Sequence, residues 1–197
     1  NSPVRVLAIG GSSRADSSSE RALRLGAQGA ELAGADVRVI PGRELKFEIY
    51  DPDGSDRAPA AREFLDAVRD AEGLIIVSPG YHGGISGLVK NALDYIEDLR
   101  VPGDDGHMYL DGKAVGCIAV AGGWQAAVST LQQLRQVVHS LRGWPTPLGA
   151  AVNSETVSLV GSPEDESVAW QLDLVGRQVV EFARMRRAYL EGGDAHG

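Results

Sequence analysis

The feature that most constrains this chain is an apolar run, Val4-Arg5-Val6-Leu7-Ala8-Ile9, that stops at Gly10-Gly11 and passes through Ser12-Ser13-Arg14-Ala15-Asp16-Ser17-Ser18-Ser19 into a helical pattern. In a parallel α/β sheet such a turn lies beyond the carboxyl end of the first strand and faces the amino end of the first helix. Unpaired N–H groups and the helix dipole attract an anion there. Neither G-x-x-x-x-G-K-[ST] nor G-x-G-x-x-G is present, so triphosphate and conventional dinucleotide readings lose weight. The backbone at Gly11, the hydroxyls of Ser12, Ser17, Ser18 and Ser19, and the single guanidinium of Arg14 suit a compact terminal phosphate, gripped without a metal. Read alone, the loop is equally a serine-rich turn that caps a helix.

Composition bounds the partners. The 197 residues carry a formal charge of −8 with no basic stripe, which argues against nucleic acid. Cys117 stands alone inside the apolar run Ala114 to Val120 and reads as a buried structural thiol. No stretch is long or apolar enough to span a membrane, and the amino end lacks the form of a signal peptide, so the expected location is the cytoplasm. His107, His139 and His196 lack metal-ligand spacing, and no metal is expected.

Periodicity yields strand candidates at Val4 to Gly10, Val37 to Pro41, Leu74 to Ser78, Ala114 to Val120 and Pro147 to Val152, most of them continuous runs of the kind buried on both faces. Helical patterns lie between and after them. Ala61, Phe64, Leu65 and Val68 share one face; Ile85, Leu88, Val89, Ala92, Leu93 and Ile96 form a longer stripe, and Val168, Leu172, Val175, Val179 and Phe182 mark a final helix. The alternation predicts one α/β domain over residues 1–197, a doubly wound parallel sheet of five strands in the order 2-1-3-4-5 with helices on both faces. Ligands of such folds bind beyond the carboxyl ends of the strands at the switch point, so the loops after strands one, three and four are the ones to inspect.

After the third strand comes Ser78-Pro79-Gly80-Tyr81-His82-Gly83-Gly84-Ile85-Ser86-Gly87, where glycines bare the main chain for a flat ligand beside two rings. After the fourth, Gly122-Gly123-Trp124 repeats that composition. Glycines also make tight turns for purely structural reasons, but three such loops converge on the same sheet edge.

These residues carry a family resemblance. Gly11 to Ser17 resembles the G-S-x-R-x-x-S phosphate loop of the NAD(P)H-dependent FMN reductases, flavodoxin-like enzymes that include quinone, azo-dye and chromate reductases. Ser78 to Tyr95 resembles that family's S-P-E-Y-H-G-S-I-S-G-x-L-K-N-A-L-D-W/Y segment, and Gln133-Leu134-Arg135 its Q-L-R helix. The chain departs from the pattern at Gly80, Gly84 and Ser19, where the family carries glutamate, serine and asparagine. The resemblance implies a flavodoxin-like fold and FMN as cofactor, bound by Gly11, Ser12, Arg14, Ser17, Ser18, Ser19, Pro79, Gly80, Tyr81, His82, Gly83, Gly84, Gly122, Gly123 and Trp124. It implies NADPH or NADH as hydride donor, a small-molecule electron acceptor such as free flavin, a quinone or another aromatic, and no protein nucleophile, since the flavin carries the chemistry. It also implies a homodimer or higher homo-oligomer built on the helix Ile85 to Asp98, with the stretch Arg100 to Lys113 closing a neighbour's pocket. A flavodoxin-type electron carrier and a non-enzymatic phosphate-ligand or partner-binding module use the same fold and stay open.

Overall fold

A computed structural model describes residues 2–100, 108–161 and 163–193. Among the described residues six strands build the parallel frame: β1 (Val4–Gly10), β2 (Ala35–Pro41), β3 (Gly73–Tyr81), and, beyond a two-residue antiparallel strand β4 (Gly84–Ile85), β5 (Ala114–Ala121) and two short segments, β6 (Trp144–Pro145) and β7 (Ala150–Asn153). The order is β2-β1-β3-β5, with β6 and β7 both pairing with β5 on its far side. The fold class is the expected one and the order differs slightly from 2-1-3-4-5: in place of one fifth strand over Pro147 to Val152, two short segments share the far side of β5. Between them lie Pro147 and Gly149, and the Gly149 turn is close enough to Arg135 and Leu131 that even a Cβ would sit 3.0 Å from each.

Alternation along each strand sends side chains to two cores. Leu7, Ile9, Leu74, Ile76, Val115 and Cys117 meet α2 (Pro59–Asp70), α3 (Gly87–Asp94) and α4 (Trp124–Ser140) on one face, through Phe64, Val68, Val89, Leu134 and Val138. Val6, Ala8, Ile75, Val77, Ile118 and Val120 meet α1 (Ser18–Leu32) and α5 (Pro163–Gly193) on the other, through Leu23, Leu172, Val175 and Val179. Burial pushes the Cys117 thiol up to about 12, which makes it inert as a nucleophile.

Helices α1 and α5 cross with their backbones almost touching. A Cβ on Gly29 would fall 2.4 Å from the Asp173 carbonyl oxygen, and one on Gly176 would fall 2.2 Å from that of Gly26. Glycine inside a helix costs about 1 kcal/mol against alanine, so its presence in α1 is explained by this crossing and not by propensity. At the amino edge of the sheet, Arg187 of α5 donates to Glu72 at 2.6 and 3.0 Å and fastens the helix end beside β3.

The irregular stretch after β2 is tied down locally. Asn91 accepts from Tyr50 N at 2.9 Å and donates to Glu48 O at 2.9 Å, Tyr95 donates to Glu48 O, and Arg57 pairs with Asp98 at 2.6 Å while its guanidinium lies 4.7 Å from the Tyr50 ring centre. Much of the family-like segment around Asn91 and Tyr95 therefore serves packing. The apolar stripe from Val89 to Ile96 faces the core, and Lys90 pairs with Asp94 outside it at 2.6 Å. Of the stretch Arg100 to Lys113, residues 101–107 lie outside the described residues, as do His107 and His196. Among the described residues no helix is long and apolar enough to cross a membrane.

Candidate functional site

The carboxyl ends of β1, β3 and β5 enclose a cleft of about 330 Å³, lined by Ser12, Ser13, Arg14, Ser17, Ser18, Ser19, Pro79, Gly80, Tyr81, Val120, Ala121, Gly122 and Ser154. Its floor follows from Gly10 and Gly11. Both have positive φ, 114° and 91°, and Gly11 N donates to Val77 O at 2.9 Å, so the chain leaves β1 pressed against β3 and turns toward α1.

The serine loop divides into structural and outward-facing parts. Ser17 is the N-cap of α1 and accepts from Glu20 N at 3.2 Å, while Ser19 Oγ accepts from Ser12 N at 3.0 Å and lies 3.1 Å from Ser17 Oγ. Two of the expected phosphate ligands are thus nearly buried and already employed in shaping the loop. Ser12 bonds locally with Arg14, and Ser18 is reached by Arg21. Arg14 is exposed and pairs with no carboxylate among the described residues. In a chain with 27 acidic residues, none lines this cleft.

One acid does stand behind it. Glu20 is 4% exposed and accepts from Asp16 N at 3.2 Å, Arg24 at 2.7 Å and Arg43 at 3.0 Å. Burial alone would raise its carboxyl, but the hydrogen bonds from Arg43 and Arg24 outweigh that and hold it below the usual carboxylate range. Arg43 is delivered by the short turn Gly42–Glu44 after β2, whose Gly42 has no room for a side chain, since a Cβ would meet Ser12 O at 2.4 Å. The sequence did hold a signal for this group, because Ser17-x-x-Glu20 is a capping box.

Glu20→Gln is expected to cost about 1 kcal/mol at neutral pH, because the amide keeps the geometry and loses the charge assistance. The folded-state pKa is lowered, so the carboxylate's contribution is complete above the ordinary value of 4.5 and disappears as pH falls through the lowered one. Urea unfolding of both proteins should therefore show a gap at pH 7 that closes in acid. A gap of constant size at every pH from neutral down to acid unfolding would remove the charge from the explanation.

Beyond β3 the chain makes a tight hairpin. Gly80 pairs with Ile85 and Tyr81 with Gly84, and His82 and Gly83 form the turn with φ of 53° and 80°. Positive φ at both central residues is the type I′ pattern suited to two-residue hairpins. Tyr81 is 56% exposed. Beyond β5, Gly123 has φ of 88° with nothing within 4 Å of a built Cβ, and its N–H donates to Asn153 Oδ1 at 2.9 Å. Asn153 also accepts from Glu155 N, which turns the chain after β7 so that Ser154 reaches the cleft.

The structure therefore gathers Ser12, Arg14, Ser17, Ser18, Ser19, Pro79, Gly80, Tyr81 and Gly122 around one space. Gly11 shapes the floor without lining it, and His82, Gly83, Gly84, Gly123 and Trp124 also do not line it, although the last is an exposed ring at the start of α4. Sequence reasoning missed Ser154 and its support Asn153. It also missed Ser129 of α4 and marked Gln133 only as part of a family-like helix; the two bond to the hairpin at Gly83 O and Ile85 N.

A larger cavity, about 530 Å³, opens at the opposite edge of the sheet between Arg5, Glu72, Lys113 and Arg187. Two of its cations are committed: Arg187 to Glu72, and Lys113 to the carbonyls of Arg69 and Ala71 at the end of α2. No helix amino terminus is among its lining residues, and its turn glycine, Gly112 at φ 72°, faces the Arg186 guanidinium.

The smaller cleft fits a phosphate-tailed planar cofactor. Hydroxyls, loop N–H groups, a helix amino end and an uncommitted guanidinium lie at one side, and Pro79, Gly80, Tyr81 and Gly122 at the other.

Comparison with known proteins agrees with that chemistry. An FMN-dependent NADPH-azoreductase of Staphylococcus haemolyticus is 28% identical over 151 residues, 75% of each chain. The NADPH-dependent FMN reductase ArsH of Shigella flexneri is 32% identical over 134 residues, 67% of this chain and 50% of that protein, so the chain spans about half the length of that relative. The fold is shared with FerB, a flavoenzyme NAD(P)H:(acceptor) oxidoreductase of Paracoccus denitrificans, with a TM-score of 0.73 at 19% identity over 93% of this chain and 98% of that one. The model of the NADPH-dependent FMN reductases matches residues 4–158, from the first residue of β1 to past the end of β7, and the chain belongs to that family.

Proposed function

We propose that this chain holds FMN in the cleft between Ser12 and Ser154, oxidises NADPH or NADH, and reduces a flat aromatic acceptor such as free flavin or a quinone. The observation that carries the reading is the meeting, at one sheet edge, of a glycine-rich hairpin with a helix amino terminus whose first-turn acid, Glu20, is buried and paired with Arg24 and Arg43 rather than facing the cleft. Bound FMN supplies the electron relay, accepting hydride from the nicotinamide and passing the electrons to the second substrate. The protein contributes position. Ser12, Ser18 and Arg14 take the phosphate, with Ser17 and Ser19 holding the loop in shape. Pro79, Gly80 and Gly122 line the cleft where a planar ring would lie, and Tyr81 and Trp124 offer exposed aromatic surface for a stacked substrate. No residue here needs to act as nucleophile or general base.

Anaerobic mixing of the purified holoprotein with each nicotinamide is the test. The expected result is rapid bleaching of the bound flavin by at least one of them, followed by recovery of colour when a quinone or excess flavin is added. Bleaching by dithionite but by neither nicotinamide would make the chain an electron carrier.

The same reading proposes a homodimer through the outer surface of α3. A groove of about 460 Å³ runs there between α3 and α4, lined by Lys90, Leu93, Asp94, Gln133, Val137 and Leu141 among others. Sedimentation at micromolar concentration is expected to give twice the mass of the chain. A fully active monomer would overturn the assembly and leave the chemistry standing.

A further inference from the structure

We propose that Ser129 and Gln133 are positioning residues, holding the β3–β4 hairpin on α4 so that the ring end of the flavin site is already shaped before the cofactor arrives. The hairpin has only two residue pairs, Gly80 with Ile85 and Tyr81 with Gly84. An isolated hairpin is marginal in water even when longer, so this one takes its shape from what grips it. The grip comes from one helix. Ser129 Oγ donates to Gly83 O at 2.6 Å, and Gln133 Oε1 accepts from Ile85 N at 2.6 Å. Residues four apart share a helix face, so the two bonds bracket the His82–Gly83 turn like two fingers. Thr130 lies between them, fully buried, and its Oγ1 would stand 2.6 Å from any Cβ on Gly80.

Two of the three departures from the family pattern, Gly80 and Gly84, fall at these contacts. Where the pattern has glutamate, Gly80 makes room for Thr130 and for the Ala121 methyl, 2.8 Å from a built Cβ. Where it has serine, Gly84 makes room for Gln133, whose Oε1 is 3.0 Å from a built Cβ. Both side chains are missing where α4 presses closest, and the hairpin thereby presents bare main chain held by helix side chains. Ordering a loop on binding costs affinity, and a loop already ordered avoids that cost.

The proposal rests on the flavin reading above and is tested by Gln133→Leu and Ser129→Ala, both at exposed positions, with Gln133→Glu as the rescue because a carboxylate oxygen can still accept from Ile85 N. In the ligand-free protein, amide exchange at Ile85 is expected to quicken roughly five- to tenfold in Gln133→Leu and to return toward wild type in Gln133→Glu. Titration should show FMN and riboflavin weakened by the same factor, roughly five- to tenfold, because the defect lies at the ring end. The visible band of the bound flavin should shift toward that of free flavin. Unchanged exchange, affinity and spectrum would overturn the proposal, as would a loss confined to FMN, which would place the effect at the phosphate. Wild-type protein that binds neither flavin would overturn the functional reading and this proposal with it, whereas normal wild-type binding with unaltered variants overturns this proposal alone.

Discussion

Gly10→Ala is expected to lower stability by about 2–6 kcal/mol, the sum of holding a side chain at positive φ and of overpacking a close contact. Gly10 sits at φ 114°, and a Cβ there would stand 1.9 Å from the Val77 carbonyl oxygen and 2.9 Å from its carbon. Those are backbone atoms of the neighbouring central strand and cannot rotate away. Relief requires β1 and β3 to part at their carboxyl ends, where Gly11 N bonds Val77 O at 2.9 Å and the serine loop begins. For a chain of this size the cost corresponds to a fall of roughly 5–20 °C in thermal midpoint. Flavin affinity should fall too, at temperatures where the variant is still folded, since the loop is launched from that contact. Gly87→Ala is the control: it lies at the first position of α3 with nothing within 4 Å of its built Cβ, and is expected to change stability by less than about 1 kcal/mol. Equal midpoints for the two variants would show that the strands part there freely.

The contrast between those two glycines marks what could be read from the chain before its structure. Strand and helix alternation, the parallel α/β class and the edge where the glycine-rich loops gather are written in patterns of local sequence, because a strand buried on both faces must be an apolar run and its exit must be a turn. Gly10 and Gly87 look alike in sequence, yet one is locked against Val77 and the other faces open space. Composition states that a side chain is absent, and only the fold states what fills its place. The same holds for the serines: Ser12, Ser17, Ser18 and Ser19 are chemically equal in a motif, but Ser17 and Ser19 are consumed by the loop's own bonds. Residues acting across elements were illegible for a related reason. Gln133 meets Ile85 across 48 positions and Asn153 meets Gly123 across 30, and no local period encodes such a pairing. The bond from Arg135 to Thr146 O, at the break between β6 and β7, is likewise made between a helix and a loop.

Arg14→Ala is expected to weaken FMN by about 1.5–3 kcal/mol, the range for a hydrogen bond to a charged group, which is roughly 10- to 150-fold in Kd. Three observations point to this residue. It lines the cleft, it has no carboxylate partner among the described residues, and the lining around it contains no acid that a dianion would meet. The other guanidiniums nearby are committed, Arg24 and Arg43 to Glu20 and Arg21 to the carbonyls of Asp16 and Ser158. Exposure to water sets the effect toward the lower end of the range and makes it shrink with added salt. It should also shrink below about pH 6, where the phosphate takes up its second proton and presents one charge instead of two. Riboflavin has no phosphate and should bind wild type and variant alike. This sets Arg14 apart from the hairpin residues, whose loss should weaken both flavins equally. Parallel fluorescence titrations of FMN and riboflavin at two salt concentrations decide the matter: a loss equal for both flavins, or indifferent to salt, would take Arg14 out of the phosphate site and leave anion binding to the loop N–H groups and the amino end of α1.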